Sequence, residues 1–375
     1  MATWITTADE FASLAERIRR EPVVALDTES DSLYHYREKV CLVQAGFRSS
    51  PPVLIDPLVL KNLSPLAEVA AGGEVELVFH GADYDVACLK RDFAFRFANL
   101  FDTMVASRFL GETDFGLVAC LHRELGVHAS KDERLADWSC RPLDPEQEVY
   151  ALEDVAHLVA LRDRLVDRLR EAGREAWVRE ECAAVADLPA AASGPEPADF
   201  RNAPGARDLD PRGLAVLKAL YEAREARCRA TDRPRYKVAG DRDLLLLAQG
   251  RPHSVGALLA LPHVPRNLRR TPGPWLEAIA RGMDSPPVHL DPPPPRPRSD
   301  PRVSERIGRL RAYRPEAAAR LALDPGLLLP QRLIVALAVE APRDLDAMAH
   351  IEGFRRWRVE VLGADLLRVL HPSRR

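Results

Sequence analysis

No two of the six cysteines form a C-x-x-C pair or any regular spacing, which excludes a disulfide framework and a zinc ribbon and points to unpaired thiols in a reducing compartment. Nor does any run approach the roughly 20 apolar residues of a membrane span. The greasiest stretch, Leu333 to Val339, is bounded by Arg332 and Glu340. The start lacks the basic and apolar segments of a signal peptide. Instead, Thr7-Ala8-Asp9-Glu10 has the spacing of a capping box and opens a helix with Phe11, Leu14 and Ile18 on one face. A cytoplasmic protein without membrane contact is the expectation.

What is present is a chain of 375 residues, 46% hydrophobic and 29% charged. It is too long for one ordinary core and too apolar for disorder, so two or three globular domains are expected. The net charge of -3 conceals a division. Residues 1–190 carry 21 Lys/Arg against 34 Asp/Glu, residues 211–283 carry 14 against 6, and residues 301–375 carry 14 against 9. Acidic chemistry that collects cations suits the first part, and contact with a polyanion suits the other two. A chance spread of solvated charge accounts equally well for either basic segment taken singly.

Short β-branched runs at Val23 to Leu26, Val40 to Ala45, Val53 to Ile55 and Glu76 to Phe79 read as strands, with helical patterns from the fourth onward. This order predicts a mixed sheet flanked by helices, its later strands parallel. One long helix is expected over roughly Pro145 to Leu169, from the apolar spacing of Val149, Leu152, Val155, Leu158 and Leu161. Breaker-rich composition places a linker at 188–210, after a first domain of 1–187, and a polyproline spacer at 284–301. Between and after them, 211–283 and 302–375 repeat one layout of a helix, a second helix and a third begun by proline, a degenerate internal duplication.

Three elements carry candidate chemistry. Asp27-Thr28-Glu29 ends the first strand, so its two carboxylates share a face. Buried like charges are costly unless a cation neutralises them, although D-x-E also arises by chance on acidic surfaces. Asp85 lies in His80-Gly-Ala-Asp-Tyr-Asp-Val, between a strand and a helix; helix capping by Asp83 or Asp85 explains it as well. Tyr150 and Asp154 stand four apart in a helix, one above the other, an arrangement that needs no function. Trp138 and Trp177 read as packing residues and His157 as a helix-surface residue. Lys131 and Arg141 are candidates for phosphate contact, with a turn at Arg141-Pro142 the alternative. Arg235, Tyr236 and Lys237 form a basic and aromatic cluster suited to nucleic acid.

Taken together, D-x-E, an Asp opening a helix, and Y-x-x-x-D in a late helix resemble the motifs of the DEDD exonuclease superfamily. Tyr150 four residues before Asp154, with Val149 rather than His at five, matches the tyrosine subclass. Phe79-His-Gly-Ala-Asp-Tyr-Asp-Val, Phe101-Asp-Thr-Met-Val-Ala-Ser and Asp137-Trp-Ser-Cys-Arg-Pro-Leu bring the resemblance to the ribonuclease D family. Both helical units resemble HRDC domains. Pro234-Arg-Tyr-Lys-Val-Ala-Gly-Asp fits the first loop of such a domain, and the second unit lacks that loop.

The resemblance implies an α/β RNase H-like exonuclease domain followed by two small all-α HRDC-like domains. It implies two divalent ions, Mg²⁺ or Mn²⁺, with Asp27 bridging both, Glu29 and Asp154 completing one site and Asp85 holding the other, and with Tyr150 aiming the attacking water. The backbone of Thr28 to Ser30 and the side chain of Leu33 or Tyr34 are expected at the terminal base. The implied partner is RNA with a free 3′ end, tRNA precursors above all, with no obligate protein partner. A 3′→5′ DNA exonuclease and a non-catalytic RNA-binding adaptor are the alternatives; five intact motif residues count against the second.

Overall fold

The computed structural model describes residues 2–128, 136–196, 198–291 and 300–372. The chain forms two compact units that do not follow the predicted domain order. One comprises residues 1–29, 40–191 and 297–375; the other comprises 30–39 and 192–296. No helix among the described residues is long and apolar enough to cross a membrane.

The first unit is built on a six-stranded sheet of β1 (Thr3–Ile5), β2 (Val23–Ser30), β3 (Val40–Gly46), β4 (Val53–Ile55), β5 (Glu76–Phe79) and β6 (Leu100–Asp102), in the order β1-β4-β3-β2-β5-β6. β2, β5 and β6 run parallel, whereas β3 and β4 are antiparallel, the mixed sheet with late parallel strands that the sequence predicts. β1 and β6 are not among the strands read from the sequence, although β4, equally short, is. Every residue of β3, β4 and β5 is buried, Gln44 and Glu76 included, so these strands are covered on both faces. The capping box at Thr7 is formed, with Thr7 Oγ1 accepting from the Glu10 amide.

The expected long helix is two, Pro145–Ala156 and Leu158–Glu171, broken at His157. The apolar spacing stays in phase across the break and hides it. Pro145 sits in the first turn, where its missing N–H costs nothing. Trp4 Nε1 donates to Glu148 at 2.9 Å and ties this helix to β1. Gly46 lets the helix lie on the sheet, since a β-carbon there would meet the Val155 carbonyl oxygen at 2.3 Å. Helix Asp83–Phe93 follows β5, and helix Thr103–Phe109 follows β6.

The second helical segment belongs to this same unit. Its helices Pro301–Leu321, Gln331–Glu340 and Arg356–Leu370 share one hydrophobic core with the sheet. Trp357 stacks on Trp177 of helix Glu175–Ala186, with centroids 5.2 Å apart and planes at 18°, and meets Phe109 edge-on. The second HRDC-like segment, expected at 302–375, thus packs in one unit with the nuclease sheet.

The other unit contains helices Pro211–Thr231, Asp241–Gly250 and Gly273–Asp284 around Leu217, Leu244, Trp275 and Ile279. It takes in the ten residues that follow β2. Tyr36 is buried in its core, its hydroxyl donating to Glu225. Asp232 accepts from the amides of Tyr36 and Arg37 and lies 2.7 Å from His35 Nδ1. Much of the expected 188–210 linker is likewise packed: Ala203 and Ala206 are buried, and Phe200 meets Tyr221 edge-on. The breakers there set two 3₁₀ turns, Phe200–Asn202 and Ala206–Asp208. Of the expected spacer at 284–301, residues 292–299 lie outside the described residues.

Candidate active site

Asp27 and Glu29 leave β2 on one face, two positions apart as the pleat requires. Asp154 comes from the helix laid across β3. One carboxylate oxygen from each of these three lies within 4.8 Å of the others. Asp85, on the first turn of helix Asp83–Phe93, lines the same cavity of about 310 Å³, together with Thr28, His80, Tyr84, Leu117, Val118 and Tyr150. Three carboxylates thus converge, and the fourth lines the same cavity.

Asp85 is no helix cap. The helix begins after Ala82, which has no side-chain acceptor, and Asp85 instead accepts a hydrogen bond from the Thr28 hydroxyl. Burial pushes the Asp85 carboxyl up to about 7, with the Thr28 bond pulling the other way. Asp27 is held well above the usual carboxylate range, first by burial and then by the charges of Asp85, Asp154 and Glu29. A site that resists its own negative charge is a site that a cation relieves. Tyr150 is buried over Trp138, with centroids 6.1 Å apart. Trp138 and Trp177 take the packing roles expected, while His157 marks the helix break.

The remaining candidates scatter. Ser30 ends β2. Leu33 and Tyr34 belong to the unit of the first helical segment, where the Leu33 carbonyl accepts from the Tyr236 hydroxyl and Lys237 Nζ stands 3.5 Å from the Tyr34 ring centroid. Tyr236 is 59% exposed. Arg235 is committed to Glu225, at 2.6 Å from Nε, rather than presented to a phosphate. The phosphate role for Arg141 gives way to a structural one. Its Nε donates to Asp56 at 2.6 Å, and its Nη atoms donate to the carbonyls of Cys41, Trp138 and Cys140. Lys131 lies outside the described residues. The sequence reading missed Leu117 and Val118, which no motif marks. It quoted His80, Asp102 and Thr103 within longer stretches without giving them a task.

The family model described as 3′-5′ exonuclease matches residues 2–170, and that of the HRDC domain matches 213–287 and 304–370. Ribonuclease D of Granulibacter bethesdensis is 32% identical over 377 residues, covering 97% of this chain and 91% of that protein. The chain belongs to the ribonuclease D family. The crystal structure of Escherichia coli ribonuclease D, described as an exoribonuclease involved in structured RNA processing, matches over the full length of both chains at 25% identity and a TM-score of 0.70. A protein from Bifidobacterium adolescentis shares the fold at a TM-score of 0.81 and 21% identity, over 98% of this chain and 96% of that one. Mixed sheet, flanking helices and helical C-terminal segments are thus the architecture of ribonuclease D.

Proposed function

We propose that this ribonuclease D relative is a metal-dependent 3′→5′ exoribonuclease that releases nucleoside 5′-monophosphates in the cytoplasm and trims the 3′ trailers of tRNA precursors. The observation that carries the reading is the convergence of Asp27, Glu29 and Asp154 within 4.8 Å in a cavity that Asp85 also lines. All four donors are carboxylate oxygens, the ligand chemistry of Mg²⁺ or Mn²⁺. Asp27, Glu29 and Asp154 would hold one ion, and Asp85 with Asp27 a second. Bound there, two divalent ions supply an activated water and neutralise charge on the phosphate under attack.

The chain's own residues do the rest. Tyr150, fixed over Trp138, offers its hydroxyl to the attacking water and orients it, a task of direction more than of proton removal. Thr28 keeps the Asp85 carboxylate turned toward the cavity. Selection of a chain end over an internal bond follows the match to the 3′-5′ exonuclease family model, and the cut leaves the phosphate on the departing nucleotide. RNA is preferred to DNA on the family match alone.

The test is digestion of a 3′-extended tRNA and of DNA of the same sequence, with Mg²⁺ or with chelator, resolved by length. Stepwise shortening of the RNA alone, with 5′-monophosphates as product, is expected. Internal fragments, or DNA cut equally fast, would overturn the reading. Tyr150→Phe should slow single-turnover cleavage roughly 10- to 1000-fold with metal binding unchanged.

A further inference from the structure

We propose that Asp102 is the positioning residue for Asp85, acting through the backbone turn that begins the helix of Asp85. The inference rests on the exonuclease reading above and adds to it a residue that never meets substrate.

Asp102 closes β6 and pairs in register with Phe79, the last residue of β5. It is fully buried. One carboxylate oxygen accepts from the amides of Gly81 (3.0 Å), Met104 (2.8 Å) and Val105 (3.2 Å), and the other accepts from the Ala82 amide at 2.8 Å. Two of these donors open helix Thr103–Phe109, of which Asp102 is the N-cap. The other two belong to the turn that opens helix Asp83–Phe93. Ala82 has no side chain to cap that helix, and Asp102 fixes instead the two amides just before its first residue, those of Gly81 and Ala82. Gly81 makes this geometry accessible: its left-handed φ of 80°, followed by right-handed Ala82, points two successive N–H groups at one anion.

A buried carboxylate saturated by four backbone donors is committed to holding backbone geometry. Asp85 stands three residues beyond Ala82, in the first turn of the helix, so the turn sets where its carboxylate lies. Thr103 extends the same control. Its hydroxyl donates to the Phe79 carbonyl (2.9 Å) and therefore accepts from His80 Nδ1–H (2.9 Å), fixing a side chain that lines the cavity.

Asp102→Ser separates the two tasks, because serine still caps helix Thr103–Phe109 but is too short for Gly81 and Ala82. Asp102→Asn keeps the volume and sets an amide N–H against at least one backbone donor, and it serves should the serine variant not fold. The full chain is titrated with Mn²⁺ in four forms: wild type, Asp85→Asn, Asp102→Ser and the double variant. Asp102→Ser should weaken the same fraction of Mn²⁺ binding that Asp85→Asn removes, and the double variant should lose no more than Asp85→Asn alone. Turnover of short RNA should fall about 10- to 100-fold with KM within about twofold. Additive losses, or full Mn²⁺ binding by a folded Asp102 variant, would overturn the proposal. Failure of the wild type to cut RNA would strike the exonuclease reading instead and leave the Mn²⁺ comparison decisive for Asp102.

Discussion

The two HRDC-like segments share one layout and bury one tryptophan each, yet they use it differently. In the first, Trp275 completes a core of its own with Leu217, Leu244 and Ile279. In the second, Trp357 stacks on Trp177, meets Phe109, and donates from Nε1 to Glu181 at 2.9 Å. Its neighbour Arg358 is 4% exposed and is spent on Glu181 and on the carbonyls of Leu327 and Leu328. The first segment keeps Tyr236 exposed; the second has given its aromatic and a key cation to the nuclease body. Duplication followed by absorption of one copy explains why a positive balance in sequence need not mean a nucleic-acid surface.

The largest test of this contrast compares Trp357→Ala with Trp275→Ala. Each empties a packed site and should cost about 3 to 5 kcal/mol. Hydrogen exchange should show Trp357→Ala loosening β5, β6 and helix Glu175–Ala186, with loss of cleavage. Trp275→Ala should loosen helices Pro211–Thr231 and Gly273–Asp284 instead. Equal exchange in β5 and β6 for both variants would erase the distinction. By the same reasoning, deletion of 301–375 should yield an insoluble or unfolded nuclease rather than a trimmed one.

A second test uses protons. Asp27 and Asp85 have folded pKa values above the unfolded range, so their contribution to stability is fully present below about pH 4 and is lost as pH rises, for Asp85 through about 7. The metal-free protein should lose on the order of 2 to 4 kcal/mol across that window, and Mg²⁺ should restore it. Because helix Arg356–Leu370 shares a core with the site, its amide exchange should follow this pH dependence. A flat profile in that helix would detach the second segment from the site.

The smallest effect is expected from Lys237→Ala and Tyr236→Ala. Each should leave melting within about 1 kcal/mol of wild type. Lys237→Ala should reduce the salt slope of RNA binding by about 1. An unchanged slope would confine Lys237 to its place over Tyr34 and remove the first segment's claim to be the RNA-facing copy.

The sequence displayed the site better than the bodies that carry it. Asp27 and Glu29 were legible because a strand repeats every two residues, and Tyr150 with Asp154 because a helix nearly repeats every four. Asp85 was visible by place but not by partner, since its bond to Thr28 joins residues 57 apart. Arg141 and Arg235 misled because a guanidinium has the same composition whether it meets phosphate or a buried carboxylate. The merging of the second segment left no local mark: Trp357 and Trp177 are each one aromatic in an amphipathic helix until the fold brings them 5.2 Å apart.

The chain passes between its two units four times, and the body that holds Asp27 on β2 is finished by helix Arg356–Leu370. During synthesis, then, the carboxylates of the motifs are all made by residue 154, while the last wall of their body is still some 200 residues from leaving the ribosome. At roughly 5 to 20 residues per second that interval is about 10 to 40 s. A nascent chain carries every acidic ligand well before it has the packing to hold them in register, so the body that holds the site closes only after helix Arg356–Leu370 has been made.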